Sequence, residues 1–404
     1  MKKYFPLFWV FYLLCAFSAH AGEGRYTIPL TGGGWSLWLD KEASWQNDRL
    51  YLPHEITDLS LLPVNVPTGG WQTLSHNPDA VPVEVPGTVE EYLTVTDNPR
   101  PENFRGVSWW YRKITIPADQ QKKRFIIYFE SVRMRAEVYL DGKIVEYELI
   151  GETPFHVDIT DEAKPGKEQL LAIRVTNPGG NFHWQDFDIM KWGEYNIPPS
   201  RSFTGIIGRV KLESVNPVFI SDIYMQNTPE LTKVNAILSF TNETSSSVKQ
   251  DVELIVNEKG NPDKVVFRQT LKAISFPAGN HEVTIPVNVP DAKLWDLSTP
   301  ELYTCNVLIK KGKKTLDQDK KDFGFRWFTV DGVGKDAVLR LNGRRIMLRS
   351  AISWGYFPVT GLIATTEMAE KQVRTAKRLG LNMLNFHRCI GSPVVLEKAD
   401  ELGL

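Results

Sequence analysis

At 404 residues the chain exceeds what a single hydrophobic core sustains, so more than one domain is expected. Its 47 Lys and Arg against 48 Asp and Glu leave a net charge of -1, which removes any electrostatic case for nucleic acid or an anionic membrane as partner. A composition of 42% hydrophobic and 24% charged residues is that of a globular protein and excludes collagenous or disordered classes.

Residues 1–21 have the layout of a secretory signal peptide. Lys2 and Lys3 form a basic start, Phe5 to Phe17 an apolar stretch, and Ala19-His20-Ala21 a small-residue cleavage pattern. The apolar run is too short to span a bilayer. The expectation is an exported protein, periplasmic or extracellular, beginning at Gly22 and free of the membrane after cleavage. Cys305 and Cys389 are the cysteines outside this leader, and two cysteines make no disulfide framework. Cys305 alternates with Tyr303 and Val307, which places it at a buried strand position.

Residues 22–215 carry short apolar or alternating runs: Phe125 to Phe129, Ala136 to Leu140 and Leu170 to Val175. Asp141-Gly142 between two such runs marks a hairpin, because both positions tolerate positive φ. No helix-length periodic run interrupts, so an antiparallel sandwich is expected. Gly32-Gly33-Gly34 is expected to form a turn. Residues 216–330 alternate more strictly, at Val234, Ala236, Leu238 and Phe240, at Val252, Leu254 and Val256, and at Val283, Ile285 and Val287. Period two with one wet face predicts a second, immunoglobulin-like sandwich. Lys310 to Lys321 is basic with acids interleaved, and is expected to be a solvated hairpin tip.

Residues 331–404 change character. Ile346 to Ile352 is followed by a loop through Trp354 and Pro358. Glu367 to Leu379 has apolar positions at helical spacing, with Gly380 as a C-terminal cap. Leu381 to Phe386 is a run of strand length, and Ser392-Pro393 opens another helix, with Ser as N-cap and Pro in the first turn. Strand, helix, strand, helix predicts the start of a parallel α/β architecture.

The seven His show no metal-ligand spacing, and no nucleophile elbow, Walker loop or dinucleotide fingerprint is present, so no metal and no organic cofactor is expected. The segment His183-Trp184-Gln185-Asp186-Phe187-Asp188 sets two carboxylates among aromatics. Carboxylates accept hydrogen bonds from sugar hydroxyls, although a turn held by Asx bonds explains the same residues. Trp354 offers a face for a sugar ring or a packing surface against the first domain. Asn385 either bonds locally or lines a pocket floor, and His387 is adjacent; a lone His is more often a packed or satisfied residue than a catalyst.

Several of these pieces together resemble glycoside hydrolase family 2, which includes β-galactosidases, β-glucuronidases and β-mannosidases. Val85-Pro86-Gly87, Gly106 to Arg112, Phe129 to Val132, Thr153 to Thr160 and Gly205 to Val210 stand in the order of that family's sugar-binding domain. Leu341-Asn342-Gly343, then Leu348-Arg349, then Leu381-Asn382 through Asn385-Phe386-His387-Arg388-Cys389 and Pro393 resemble the opening of its catalytic barrel. One departure is Gly208-Arg209, where the family often has Arg-Asp.

The resemblance implies a jelly-roll sandwich, an immunoglobulin-like sandwich and the first two βα units of a TIM (β/α)8 barrel. It implies retaining hydrolysis of terminal β-linked sugars and two catalytic glutamates expected beyond Leu404, so that this chain alone is inactive. Arg388 matches the arginine that neighbours the family's nucleophile, and Asp186 or Asp188 matches an acidic residue that reaches the barrel mouth; residues 193–202 look inserted there. The family's galactosidase branch has a His/Glu-rich segment where this chain has Ser353 to Pro358, which speaks against a galactoside. The partner implied is a carbohydrate substrate; which sugar, and whether the full-length protein is a homo-oligomer, are left open. The rival readings are a non-catalytic carbohydrate-binding protein of two sandwiches and an adhesion module.

Overall fold

The computed structural model describes residues 24–44, 59, 64–92, 104, 106–133, 135–148, 151, 153–177, 191–192, 195–196, 203–353, 355, 363–387 and 390–404. The first module is a sandwich of two antiparallel sheets. Strands β1 (Tyr26–Pro29), β14 (Val210–Val215), β5 (Arg124–Phe129) and β9 (Phe155–Asp158) form one, in that order. The other runs β3 (Val81–Val85), β2 (Gly32–Asp40), β4 (Gly106–Thr115), β10 (Glu168–Asn177), β7 (Arg135–Leu140) and β8 (Lys143–Glu148). From β4 onward the chain crosses repeatedly between the two sheets, which closes both around one core. Smaller pieces are α1 (Thr73–His76), α2 (Val89–Tyr92), a ladder of β6 (Val132–Arg133) with β13 (Gly205–Ile206), and a hairpin of β11 (Lys191–Trp192) with β12 (Tyr195–Asn196).

Side-chain alternation explains the layering. In β5, Phe125, Ile127 and Phe129 turn inward while their neighbours are half-exposed. In β4 both faces are buried, because the six-stranded sheet has a second cover. Trp110 and Ile114 enter the inter-sheet core, whereas Val107, Trp109 and Tyr111 pack outward with Tyr139, Ala172 and Leu74. Asp141 and Gly142 make the β7–β8 turn with φ of 49° and 83°, and a Cβ on Gly142 would meet the Trp71 ring at 3.1 Å. Gly32 to Gly34 do not form a free turn. They open β2, and the register with β3 shifts between Gly32 and Trp35, so the flexible residues absorb a bulge.

The second module pairs a sheet of β15 (Val218–Asn227), β16 (Lys233–Asn242) and β19 (Gly279–Asn288) with one of β18 (Val265–Phe276), β17 (Val248–Glu258), β20 (Tyr303–Lys311) and β21 (Lys314–Phe323). The period-two residues predicted for it, Val234 to Phe240 and Val252 to Val256, form its core. Cys305 is a free, fully buried thiol among them, and burial pushes its pKa up to about 12. Cys389 lies outside the described residues.

The Lys310–Lys321 expectation needs correction. The β20–β21 turn around Gly312 is exposed, but Asp317 is completely buried. The cause is tertiary: Arg25, at the start of β1, donates Nε and Nη2 to the two Asp317 oxygens at 3.1 and 3.0 Å. Arg25 also pairs with Glu213 of β14 at 3.2 Å, and Asp317 accepts the Ile220 amide at 2.7 Å. Asn216 donates to the Leu316 carbonyl beside it. The two sandwiches thus meet around one guanidinium.

After the second sandwich, β22 (Phe328–Asp331), β23 (Val338–Leu341) and β24 (Arg344–Arg345) form a three-stranded antiparallel sheet. Then β25 (Ser350–Ser353) pairs with β26 (Met383–Phe386) in parallel, and α3 (Thr366–Arg378) makes the crossover. Thr365 caps α3 by accepting the Met368 amide, and Gly380 at φ 76° follows its last turn. Helix α4 (Pro393–Leu402) starts at the predicted place, yet the Ser392 side chain makes no cap bond. The Val395 amide donates instead to the Ser392 carbonyl at 2.9 Å, so the backbone has already taken that donor.

Candidate functional site

The site predicted from sequence centres on the carboxyl ends of β25 and β26. Their register pairs Ser353 with Phe386, so the two strands finish level. Alternation sorts the β26 side chains. Leu384 and Phe386 pack on Ala369 of α3 and Val395 of α4, while Asn385 projects from the opposite, exposed face, opposite Ile352. His387 continues from the strand end, half-buried, its amide donating to the Ser353 carbonyl at 2.8 Å.

Two residues that sequence reasoning missed shape this end. Gln372 of α3 donates Nε2 to the Ser353 hydroxyl at 3.2 Å, tying the helix to the strand end. Gly391 lies against the Phe386 ring, where a Cβ would come within 2.6 Å, so the segment leading into α4 passes where no side chain fits. The glycine was visible in the sequence; the ring it abuts was not.

Of the residues predicted for the site, Asn385 and His387 are therefore placed at one strand end. Trp184, Asp186, Asp188, Trp354 and Arg388 lie outside the described residues. What is described near the 178–190 segment is its start: Asn177, the last residue of β10, donates Nδ2 to the Phe104 carbonyl at 2.7 Å.

A second ionisable group sits on the outer face of the six-stranded sheet. Glu137 accepts from Arg174 Nη1 at 3.2 Å, from the Tyr139 hydroxyl at 3.3 Å and from Asn65 Nδ2 at 2.7 Å, with Arg135 at 3.4 Å. Burial and the Glu137 charge push the Tyr139 hydroxyl up. Every acceptor position of this carboxylate is engaged by the protein itself, so the cluster holds the sheet's outer layer together and offers nothing to a ligand. Among the described residues, no group of three or more His, Cys, Asp or Glu is arranged to hold a metal ion, and no helix is long and apolar enough to cross a membrane.

Comparison with known proteins places the two sandwiches. Residues 33–196 match the model of the glycosyl hydrolases family 2 sugar binding domain, and residues 218–326 match that of glycosyl hydrolases family 2. The chain is 25% identical over 317 residues to a beta-glucuronidase of Formosa agariphila, covering 74% of this chain and 31% of that protein. It is 28% identical over 299 residues to a beta-galactosidase of Thermoanaerobacterium thermosulfurigenes, covering 72% of this chain and 39% of that protein. A solved structure of a glycosyl hydrolase family 2 member from Bacteroides cellulosilyticus superposes with a TM-score of 0.71 at 19% identity. That match covers 94% of this chain and 47% of the other. The chain therefore spans between about a third and two fifths of the length of these curated relatives.

Proposed function

The chain belongs to glycoside hydrolase family 2, and from that premise we propose that the protein carrying it is an exported, retaining exo-β-glycosidase that hydrolyses terminal β-linked sugars. The observation that carries this reading is the parallel β25–β26 pair behind two antiparallel sandwiches, with α3 and α4 packed on one face of it. A βαβ step of this kind is how a (β/α)8 barrel begins, and we assign β25 to α4, Ser350 to Leu402, to its first two βα units; residues 331–345 precede them in the antiparallel β22–β24 sheet. A purely sugar-binding pair of sandwiches has no need of it.

In such a barrel the carboxyl ends of the strands face the substrate. The loops after Ser353 and Phe386 then stand at the mouth, and Asn385 faces the barrel interior. Arg388 is assigned the task of orienting the nucleophilic carboxylate and keeping it ionised. Trp354 is assigned to stack on the apolar face of a sugar ring, and Asp186 or Asp188 to accept hydrogen bonds from its hydroxyls. Retention needs two carboxyl groups about 5–5.5 Å apart, one attacking the anomeric carbon and one passing a proton to the leaving oxygen and later taking one from water. Both are assigned to the portion of the relatives that this chain does not cover. The leader at residues 1–21 supports export.

The test is to express the open reading frame that encodes this chain, to its natural stop, and assay 4-nitrophenyl β-glucuronide and β-galactoside. Turnover with the β-anomer formed first, seen by NMR, supports the reading. No turnover, with sugar bound by the 404-residue chain in calorimetry, would replace it by the carbohydrate-binding alternative. In the active protein Arg388→Ala should lower kcat by about 10²–10³-fold, the effect of removing one preorganised electrostatic group. Asp186→Ala or Asp188→Ala should raise KM about ten-fold, as expected for one charged hydrogen bond to substrate.

A further inference from the structure

Helix α4 carries carboxylates at Glu397, Asp400 and Glu401, a spacing of three and four residues that brings them to one face. Each meets a cation from an upstream module. Arg209, just before β14 of the first sandwich, donates Nη1 and Nη2 to Glu397 at 3.2 and 2.7 Å. Arg326, beyond β21 of the second sandwich, donates to Asp400 at 2.7 Å. Lys259, beyond β17, donates to Glu401 at 2.9 Å.

The anchors are themselves anchored. Arg209 donates Nε and Nη2 to Glu130 at 3.0 and 2.7 Å, and its amide to the other Glu130 oxygen at 3.0 Å. The Arg326 guanidinium lies 4.5 Å over the Trp295 ring, and Trp295 Nε1 donates to the Asp400 carbonyl at 2.7 Å. Lys377 of α3 donates to the Leu297 and Gly403 carbonyls, closing the end of the helix onto the second sandwich. Hydrogen bonds from Lys398 and Lys259 hold the Glu401 carboxyl below its usual range.

We propose that α4 is a keystone through which both sandwiches position Gly391 against the Phe386 end of β26, with Arg209, Lys259 and Arg326 as its positioning residues. The geometry requires more than one anchor. Ten residues of α-helix span about 15 Å, so a small tilt about the carboxyl end displaces the amino end by about 2–3 Å. Asp400 and Glu401 hold the last turn, and Glu397 holds the middle, which removes that tilt. The residues just before α4 are where Gly391 packs on Phe386, and His387, the residue after β26, donates its amide to Ser353, so the place of α4 acts on that strand end through the Gly391–Phe386 contact. The inference stands on these contacts alone and does not need the glycosidase reading.

Amide hydrogen exchange on the 404-residue chain tests it, with the His387 amide as direct reporter because its acceptor is the Ser353 carbonyl. Arg209→Gln, Lys259→Gln and Arg326→Gln should each speed exchange at His387 and Gly391 about two- to five-fold, and the triple variant about ten-fold, the scale of exposed pairs. Glu397→Gln and Glu401→Gln, made from the half-exposed helix side, should give the same increases. Arg209→Glu should exceed Arg209→Gln, and adding Glu397→Arg should restore protection. Three results would each overturn the proposal: unchanged exchange at His387 in the triple variant, a reversed pair no better than Arg209→Glu alone, or equal loss of protection in the β5 and β16 cores.

Discussion

Two of the ionic junctions among the described residues are built in opposite ways. Where the sandwiches meet, the Arg25 side chain is 9% exposed and Asp317 is 0% exposed, and every polar atom of the carboxylate is bound. Where α4 meets them, Arg209 and Glu397 are 47% and 50% exposed, and Lys259 and Glu401 about a third. The first junction is all or nothing, because removing one member strands the others away from water. The second is a sum of small, screened contributions along a helix, each of which can be lost alone. A joint of the first kind welds two cores into one unit. A joint of the second kind sets the place of an element without deciding whether the chain folds.

The largest expected effect comes from breaking the weld. Arg25→Met leaves the fully buried Asp317 without its cation and Glu213 with Lys211 alone, and should cost about 3–5 kcal/mol in urea unfolding. Arg25→Met with Asp317→Leu should recover most of that loss; failure to recover would mean that packing, not the stranded charge, dominates.

Acid should act next. Burial pushes Glu213 up, but the Arg25 and Lys211 cations outweigh it and hold its carboxyl below the usual range. Glu401 is depressed as well. For depressed carboxyls the stabilisation is complete above the unfolded pKa and is lost as pH falls through the folded one. Stability should therefore decline below about pH 4.5, the range where unfolded glutamates titrate. Arg25→Met should flatten the Glu213 share of that decline.

Salt separates the two joints. Raising ionic strength from 0.1 to 1 M shortens screening from about 10 to about 3 Å. Exchange at His387 should rise, with little change in the urea midpoint of the sandwiches. The smallest effect is at Lys259, whose part-exposed ammonium pairs with Asp322 and Glu401: Lys259→Gln should cost about 0.2–1 kcal/mol per pair.

Much of the architecture could be read from local pattern. Alternation at Val234 to Phe240 located core strands, Asp141-Gly142 located a hairpin, and the spacing of Met368, Val373 and Ala376 located α3 to within a residue. Reading failed where a neighbour outside the window decided. Gly32 to Gly34 look like a turn until β3 supplies the pairing that makes them strand. Ser392 looks like a cap until its own carbonyl takes the amide. The site is harder still: Asn385 and His387 are candidates from sequence that the structure sets at one strand end, while Gln372 and Gly391 became visible only once α3 and Phe386 stood beside them.

Periodicity and turn chemistry act over a few residues, and the sequence by itself determined what depends on them: two β modules in series, then a strand–helix–strand step, and where most elements begin. Contacts between distant segments belong to the tertiary structure. Asp317 is 292 residues from Arg25, and Glu397 is 188 from Arg209. No local rule says that an aspartate in a lysine-rich hairpin is buried, or that a helix's acids meet cations from two other modules. Charge pairing is set by where the chain returns, and only the folded whole decides that.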